Sequence, residues 1–202
     1  MSTAPSGQRG PAEHERREQI VTAAHDHFRH YGYNKTTVAD LAKAIGLSTA
    51  YIYKFFESKR AIGEAACALC LGEIAASLQA ITVEGKPAAE RLRRIFLELA
   101  RRGEHLFFQN RKMHDIVATA LAEQWSSCDL HDEALLAVIR KVLNEGRKAG
   151  EFERKTPLEE ASRAILLAME PIKNPVLLEQ RLDTLEADAA VLANLVLRSL
   201  AP

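Results

Sequence analysis

Residues 36–59, TTVADLAKAIGLSTAYIYKFFESK, hold two short helical patterns separated by only a few residues. Val38, Leu41, Ala42 and Ile45 recur at helical spacing, so the first pattern folds as an amphipathic helix with one buried stripe. Thr37 opens it, and Asp40 three residues later can return a reciprocal cap. Gly46 ends it, because glycine enters the left-handed conformation at no steric cost. Ser48 then caps a second helix, with Leu47 and Ile52 as a hydrophobic staple. Two short helices joined by a tight glycine-containing turn make a helix-turn-helix. The rest of the chain has to accommodate that unit.

The second helix carries the chemistry. Ile52 and Phe56 lie four apart and form its buried seam. Thr49, Ala50, Tyr51, Tyr53 and Lys54 occupy the remaining faces, with no acidic residue among them. A neutral-to-basic surface with hydroxyls suits a helix lying in a DNA major groove, its first residues at base edges and its rim at phosphates. Lys59, after Ser58, stands where the free amides of the next helix already favour an anion. The competing reading is a helical hairpin whose tyrosines are half-buried surface aromatics.

The run YGYNKTTVADLAKAIGLSTAYIYKFFESKRAI resembles the N-terminal domain of the TetR/AcrR family of bacterial transcriptional regulators. The likeness covers roughly Glu13 to Cys70. It rests on Tyr31-Gly32-Tyr33, the paired Thr36 and Thr37, Gly46-Leu47-Ser48, Ile52-Tyr53, Phe55-Phe56 and Ser58-Lys59. The resemblance implies an all-α, nine-helix fold: a three-helix helix-turn-helix domain, then a C-terminal helical domain for ligand binding and dimerisation. It implies phosphate contacts from Thr37, Tyr53, Lys54 and Lys59, with Thr36 beside them, and base or groove contacts from Ser48, Thr49 and Tyr51. Many members carry a lysine, a glycine and a small residue where Thr49, Ala50 and Tyr51 stand, so no operator sequence carries over.

Charge separates the two parts. Over 202 residues 27 Lys/Arg balance 27 Asp/Glu. Residues 1–60 nevertheless hold nine basic against six acidic side chains, which sets the N-terminal end toward a polyanion. No signal peptide is visible, and the apolar stretches near Ala189–Leu197 are short of a membrane span, so a soluble, cytoplasmic protein without a membrane partner is expected. Three cysteines argue against a disulfide framework. Cys67 and Cys70 form a C-x-x-C inside an alanine-rich helical pattern, where small buried thiols are the expectation. His25, His27 and His30 lack ligand spacing, so neither a metal nor a cofactor is expected.

Residues 1–11 read as a disordered arm whose Arg9 could reach a minor groove. Residues 12–58 form the DNA-binding domain, with the motif at about 36–56, and 59–202 the second domain. There the patterns place helices at about 58–80, 88–108, 112–125, 132–149, 158–170 and 182–200. Phe96, His105, Phe108, Met113 and Trp125 are available to line an apolar pocket, with Phe107, Met169, His114 and Gln124 as further candidates. The last two helices are apolar over most of their circumference and need covering on two sides. Ile165, Leu166, Met169, Leu192, Leu195 and Val196 are therefore expected at a two-fold dimer interface; the competing reading is a fully internal helix in a monomer. The expected function is a non-enzymatic, homodimeric regulator, a repressor released from a palindromic double-stranded operator by a small apolar or amphipathic organic effector. The alternative from another class is a ligand-binding or catalytic helical bundle without DNA binding.

Overall fold

The computed structural model describes residues 11–202, in which there are helices and turns but no strand. The order is α1 (Pro11–Tyr31), α2 (Val38–Ala44), α3 (Thr49–Ile52), α4 (Lys59–Thr82), α5 (Ala88–Gln109) and α6 (Arg111–Ala122). Then come α7 (Ser126–Ala149), α8 (Leu158–Ala168), α9 (Glu170–Lys173), α10 (Pro175–Glu179) and α11 (Leu185–Ser199). The all-α expectation is borne out. The count of nine is exceeded because the chain after Ala168 breaks into two extra short helices. Pro171 and Pro175 each sit in the first turn of one of them, where a missing N–H costs nothing. The Arg9 arm falls outside the described residues.

Two buried clusters divide the molecule. The first joins Ile20, Ala24 and Phe28 of α1 and Leu41 of α2 to Ile52, Phe56, the first half of α4, and Met113, Ile116 and Trp125. The second joins the last turns of α4 to α5, α7, α8 and α11. α4 contributes side chains to both clusters, and α6 packs with the helices of the first. By length and composition alone α4 is long and apolar enough to cross a membrane, unlike the shorter apolar stretches near Ala189–Leu197. Its apolar side chains are shared between the two cores.

Local departures have local reasons. Tyr31, expected on the buried stripe of the first helix, is 60% exposed, one turn beyond the last packed residue, Phe28. Arg91, expected among the outer residues of its helix, is buried and bonds the Thr82 carbonyl and the Glu145 carboxylate. Leu121 lies exposed near the end of α6. Gly103, which could have marked a bend, sits inside an unbroken α5. A Cβ there would collide with the Leu178 side chain, so the glycine lets α10 lie close against α5.

Candidate nucleic-acid interface and ligand cavity

The helix-turn-helix is built as its caps require. The Thr37 hydroxyl accepts from the Asp40 amide at 3.1 Å, and the Asp40 carboxylate accepts from the Thr37 amide at 2.8 Å. Hydrogen bonds from the Thr37 side chain and backbone hold the Asp40 carboxyl below its ordinary pKa. Gly46 takes φ 66°. Ser48 accepts from the Tyr51 amide at 3.1 Å and caps α3. That helix is a single turn of four residues, shorter than the span to Phe56 expected from the pattern. Ile52 and Phe56 are nonetheless both buried and anchor it.

The expected DNA-facing residues divide into two groups. Thr37, Ser48, Tyr53 and Lys54 are exposed, while Thr49 and Tyr51 are half-buried. The Lys54 ammonium lies 5.4 Å from the Tyr51 ring, which packs edge-on against Phe55. Lys59 is different: its ammonium rests 4.4 Å over the Tyr33 ring, and burial lowers its pKa. Thr36 corrects its expected place beside the phosphate contacts. It is 1% exposed, donates to the Gly32 carbonyl at 2.8 Å and lies 3.3 Å from His27 Nδ1, so it braces the α1–α2 turn from within. Pattern reasoning overlooked Lys35 and Lys43, both exposed and beside one surface cleft with Asp40. Among the described residues neither is in an ion pair. The charge excess of residues 1–60 was the available signal.

A partly open, mostly apolar cavity of about 60 Å³ lies where the two cores meet. Leu71 and Ile74 of α4, Leu99 and Gly103 of α5, His114 and Val117 of α6, Cys128 and His131 of α7, and Ile172, Lys173, Asn174, Pro175 and Leu178 of the α9–α10 segment contribute to its wall. None of Phe96, His105, Phe108, Met113 or Trp125 does. Phe96 packs in the second core, Met113 and Trp125 in the first, and His105 and Phe108 are exposed. Of the further candidates only His114 lines it. An amphipathic pattern cannot tell which face of a buried helix meets a void rather than a neighbour.

Two imidazoles give this cavity its polarity. His131 is 8% exposed and His114 2%. Burial pushes the His131 pKa down to about 4, with Lys173 adding to the shift against Asp132 and a backbone bond to Leu71. The Lys173 ammonium, also on the wall, bonds Asp132 at 2.7 and 2.9 Å and pairs with Glu170 at 3.1 Å. Burial alone would lower its pKa, but those carboxylates outweigh it and the net shift is upward. The thiols of Cys67 and Cys70 are pushed up to about 12 by burial, which leaves them unreactive packing groups.

Imidazole, thiol and carboxylate groups do not cluster in a metal-holding set of three among the described residues. On the side of the expected dimer, Ile165, Leu166, Met169 and Val196 correct their assignment. They are 0–8% exposed within one chain and pack inside it. Leu192 is half-buried and Leu195 is 63% exposed, in a patch of α11 that includes Val191, with Leu167 exposed on α8.

A family model described as bacterial regulatory proteins, tetR family, matches residues 20–66. A second, described as tetracyclin repressor-like, C-terminal domain, matches residues 88–192. No curated protein matches. Among solved structures, the transcriptional regulator FadR from Bacillus subtilis, in complex with stearoyl-CoA, is 20% identical over 91% of this chain and 98% of its own, with a TM-score of 0.65. A transcriptional regulator from Cytophaga hutchinsonii is 20% identical over 92% and 98%, TM-score 0.69. RolR, in complex with resorcinol, is 15% identical over 96% and 91%, TM-score 0.60.

Proposed function

Because the chain belongs to the TetR family of bacterial regulatory proteins, and is thus a DNA-binding, ligand-responsive transcriptional regulator and not an enzyme, we propose that it acts as a cytoplasmic homodimeric repressor. Membership removes the alternative of a helical bundle with an incidental N-terminal pattern. The observation that carries the reading is the capped α2–turn–α3 unit. Its Ser48 to Lys54 stretch has no acidic side chain and is pinned from behind by Ile52. We assign Ser48, Thr49 and Tyr51 to the groove, and Thr37, Lys54 and Tyr53 to phosphates, with Lys35 and Lys43 added as flanking cations. Lys59 joins them on leaving the Tyr33 ring. Two such units on a two-fold axis read half-sites centred about 34–36 Å apart.

Release follows from where the cavity lies. α4 starts directly after the motif and runs into both cores, so a rotation of its far half carries the DNA-binding unit with it. α6 provides a second link: His114 lines the cavity, and two residues earlier Lys112 donates to the His30 carbonyl near the end of α1. An effector that prefers the displaced state a hundredfold supplies about 2.7 kcal/mol, enough to move a two-state equilibrium by the same factor. A small organic effector is common ground with FadR and RolR, whose ligands are of different chemistry.

The test is equilibrium binding to the DNA upstream of the chain's own gene across a salt series. Each phosphate contact contributes about 0.9 to the slope of log affinity against log salt. Lys54→Ala is expected to weaken binding to every sequence and to lower the slope by roughly two per dimer. A wild-type slope near zero, with no sequence preference, overturns the assignment.

A further inference from the structure

His114 and His131 both leave one ring nitrogen, Nδ1, buried without a hydrogen-bond partner. The other nitrogen fixes what that Nδ1 can do. His114 Nε2 lies 3.2 Å from the Pro175 carbonyl, which can only accept, so in the neutral ring the proton is on Nε2. The Leu71 backbone beside the His131 ring favours the protonated form, as an accepting carbonyl does; with Nδ1 unpartnered, the nitrogen turned toward it is Nε2. Burial keeps His131 uncharged at neutral pH. A neutral His131 therefore presents an Nδ1 lone pair at a mostly apolar cavity, able to accept and unable to donate, whereas His114 Nδ1 has the exposed Asp115 carboxylate 3.8 Å away. The one ammonium on the wall, Lys173, is already shared between two carboxylates, Asp132 and Glu170, so no cation is left for an anion.

From this geometry we propose that the effector is a small, neutral, largely apolar molecule of the phenol or alcohol class, whose hydroxyl donates to His131 Nδ1. The proposal rests on the cavity being the effector site of the regulator described above. Size sets a further condition. The free space of about 60 Å³ is less than half of the ~150 Å³ that takes up benzene in an engineered core. A single ring enters only by moving the wall. The short α9–α10 segment, lying on α5 at Gly103, and α6, tied to α1, are the parts that give way. Entry and displacement are then one event, which is the differential binding a switch requires.

The experiment is calorimetric titration of the full-length protein with four single-ring probes of matched shape: p-cresol, its methyl ether, p-toluate and p-methylbenzylammonium. p-Cresol is expected to bind at least tenfold tighter than the ether and tighter than either ion. His131→Leu is expected to erase the preference for cresol over ether while leaving the ether's affinity unchanged. His114→Leu is expected to leave that preference in place. If a variant fails to fold, the wild-type series decides alone. An ether as tight as cresol, a tighter carboxylate or ammonium, or no binding by any probe overturns the proposal. Retention of operator DNA, measured on the same preparation without probe, separates the outcomes. Intact DNA binding with no preference for cresol sinks only the ligand class, and loss of DNA binding sinks the regulator assignment whatever the calorimeter reads.

Discussion

His131 and Lys173 line one cavity and answer burial in opposite ways. Lys173 has carboxylate partners that hold its charge, whereas His131 has none close enough to outweigh desolvation and stays neutral down to about pH 4. The unfolded chain takes up that proton near pH 6.5, so between 6.5 and 4 the unfolded state binds more protons than the folded one. Stability from this residue is complete above pH 6.5 and falls as the pH drops toward 4, by about 2 kcal/mol at pH 5. Urea denaturation at pH 7.5 and pH 5 reads the loss directly. His131→Leu is expected to remove that part of the pH dependence and, by deleting an unpaired buried nitrogen, to be at least as stable as wild type at neutral pH. A variant that keeps the full pH dependence would place the titration on another group. Neither histidine's role was legible in the sequence, because a histidine one turn from a core residue looks the same whether it meets solvent, a carbonyl or a void. Thr36 shows the same limit from the other side: two adjacent threonines differ only in which way the turn points them.

At the scale of the element, most of what sequence can express was expressed through caps. Thr37 with Asp40, Gly46, Ser48 and Ser58 stand where short-range chemistry puts them, since each acts within four residues. The length of α3 was misjudged because Tyr53 to Phe55 keep helical spacing while leaving the regular helix. The break after Ala168 was only partly foreseen: prolines announce an end, but not the helical turns that restart on them. With one turn to support, the Ser48 cap has unusual leverage, and its two roles separate by substitution. Ser48→Ala is expected to cost about 1 kcal/mol of stability through the lost bond to the Tyr51 amide, and to weaken DNA binding as well. Ser48→Asp keeps the cap and its stability but adds a negative charge where phosphates approach, so only DNA binding falls. Thermal midpoints and operator affinities of the pair test this. An aspartate variant that binds DNA like wild type would show that Ser48 caps the helix and does not face the duplex.

For the whole molecule, the last helices illustrate why cores and interfaces are hard to separate in one sequence. Both are apolar, and α8 and α11 carry enough leucine, isoleucine and valine for two faces. Folding spends one face internally, on Ile165, Leu166, Met169, Ala189 and Val196, which reassigns four of the six residues expected to meet a partner. It leaves Leu167, Val191 and Leu195 at 63–66% exposure, with Val191 and Leu195 one turn apart on α11. Isolated exposed leucines are ordinary, but in the proposed two-fold homodimer these three side chains on α8 and α11 are the expected contact. Covering one such side chain is worth roughly 1.5–3 kcal/mol, and an isologous interface counts every residue twice. Leu195→Glu is therefore expected to raise the dimer dissociation constant by at least about a hundredfold, since each 1.4 kcal/mol is tenfold. Because the side chain is exposed in the single chain, its helical content and monomer stability are expected to stay near wild type. Sedimentation equilibrium distinguishes a folded monomer from an unchanged dimer, and operator affinity falls with the monomer because one half-site is then read at a time. Ile165→Ala provides the contrast, losing about 2–5 kcal/mol of stability as a core truncation, seen as a lower melting point at any protein concentration. A Leu195→Glu protein that stays dimeric would move the two-fold axis to another face of the molecule.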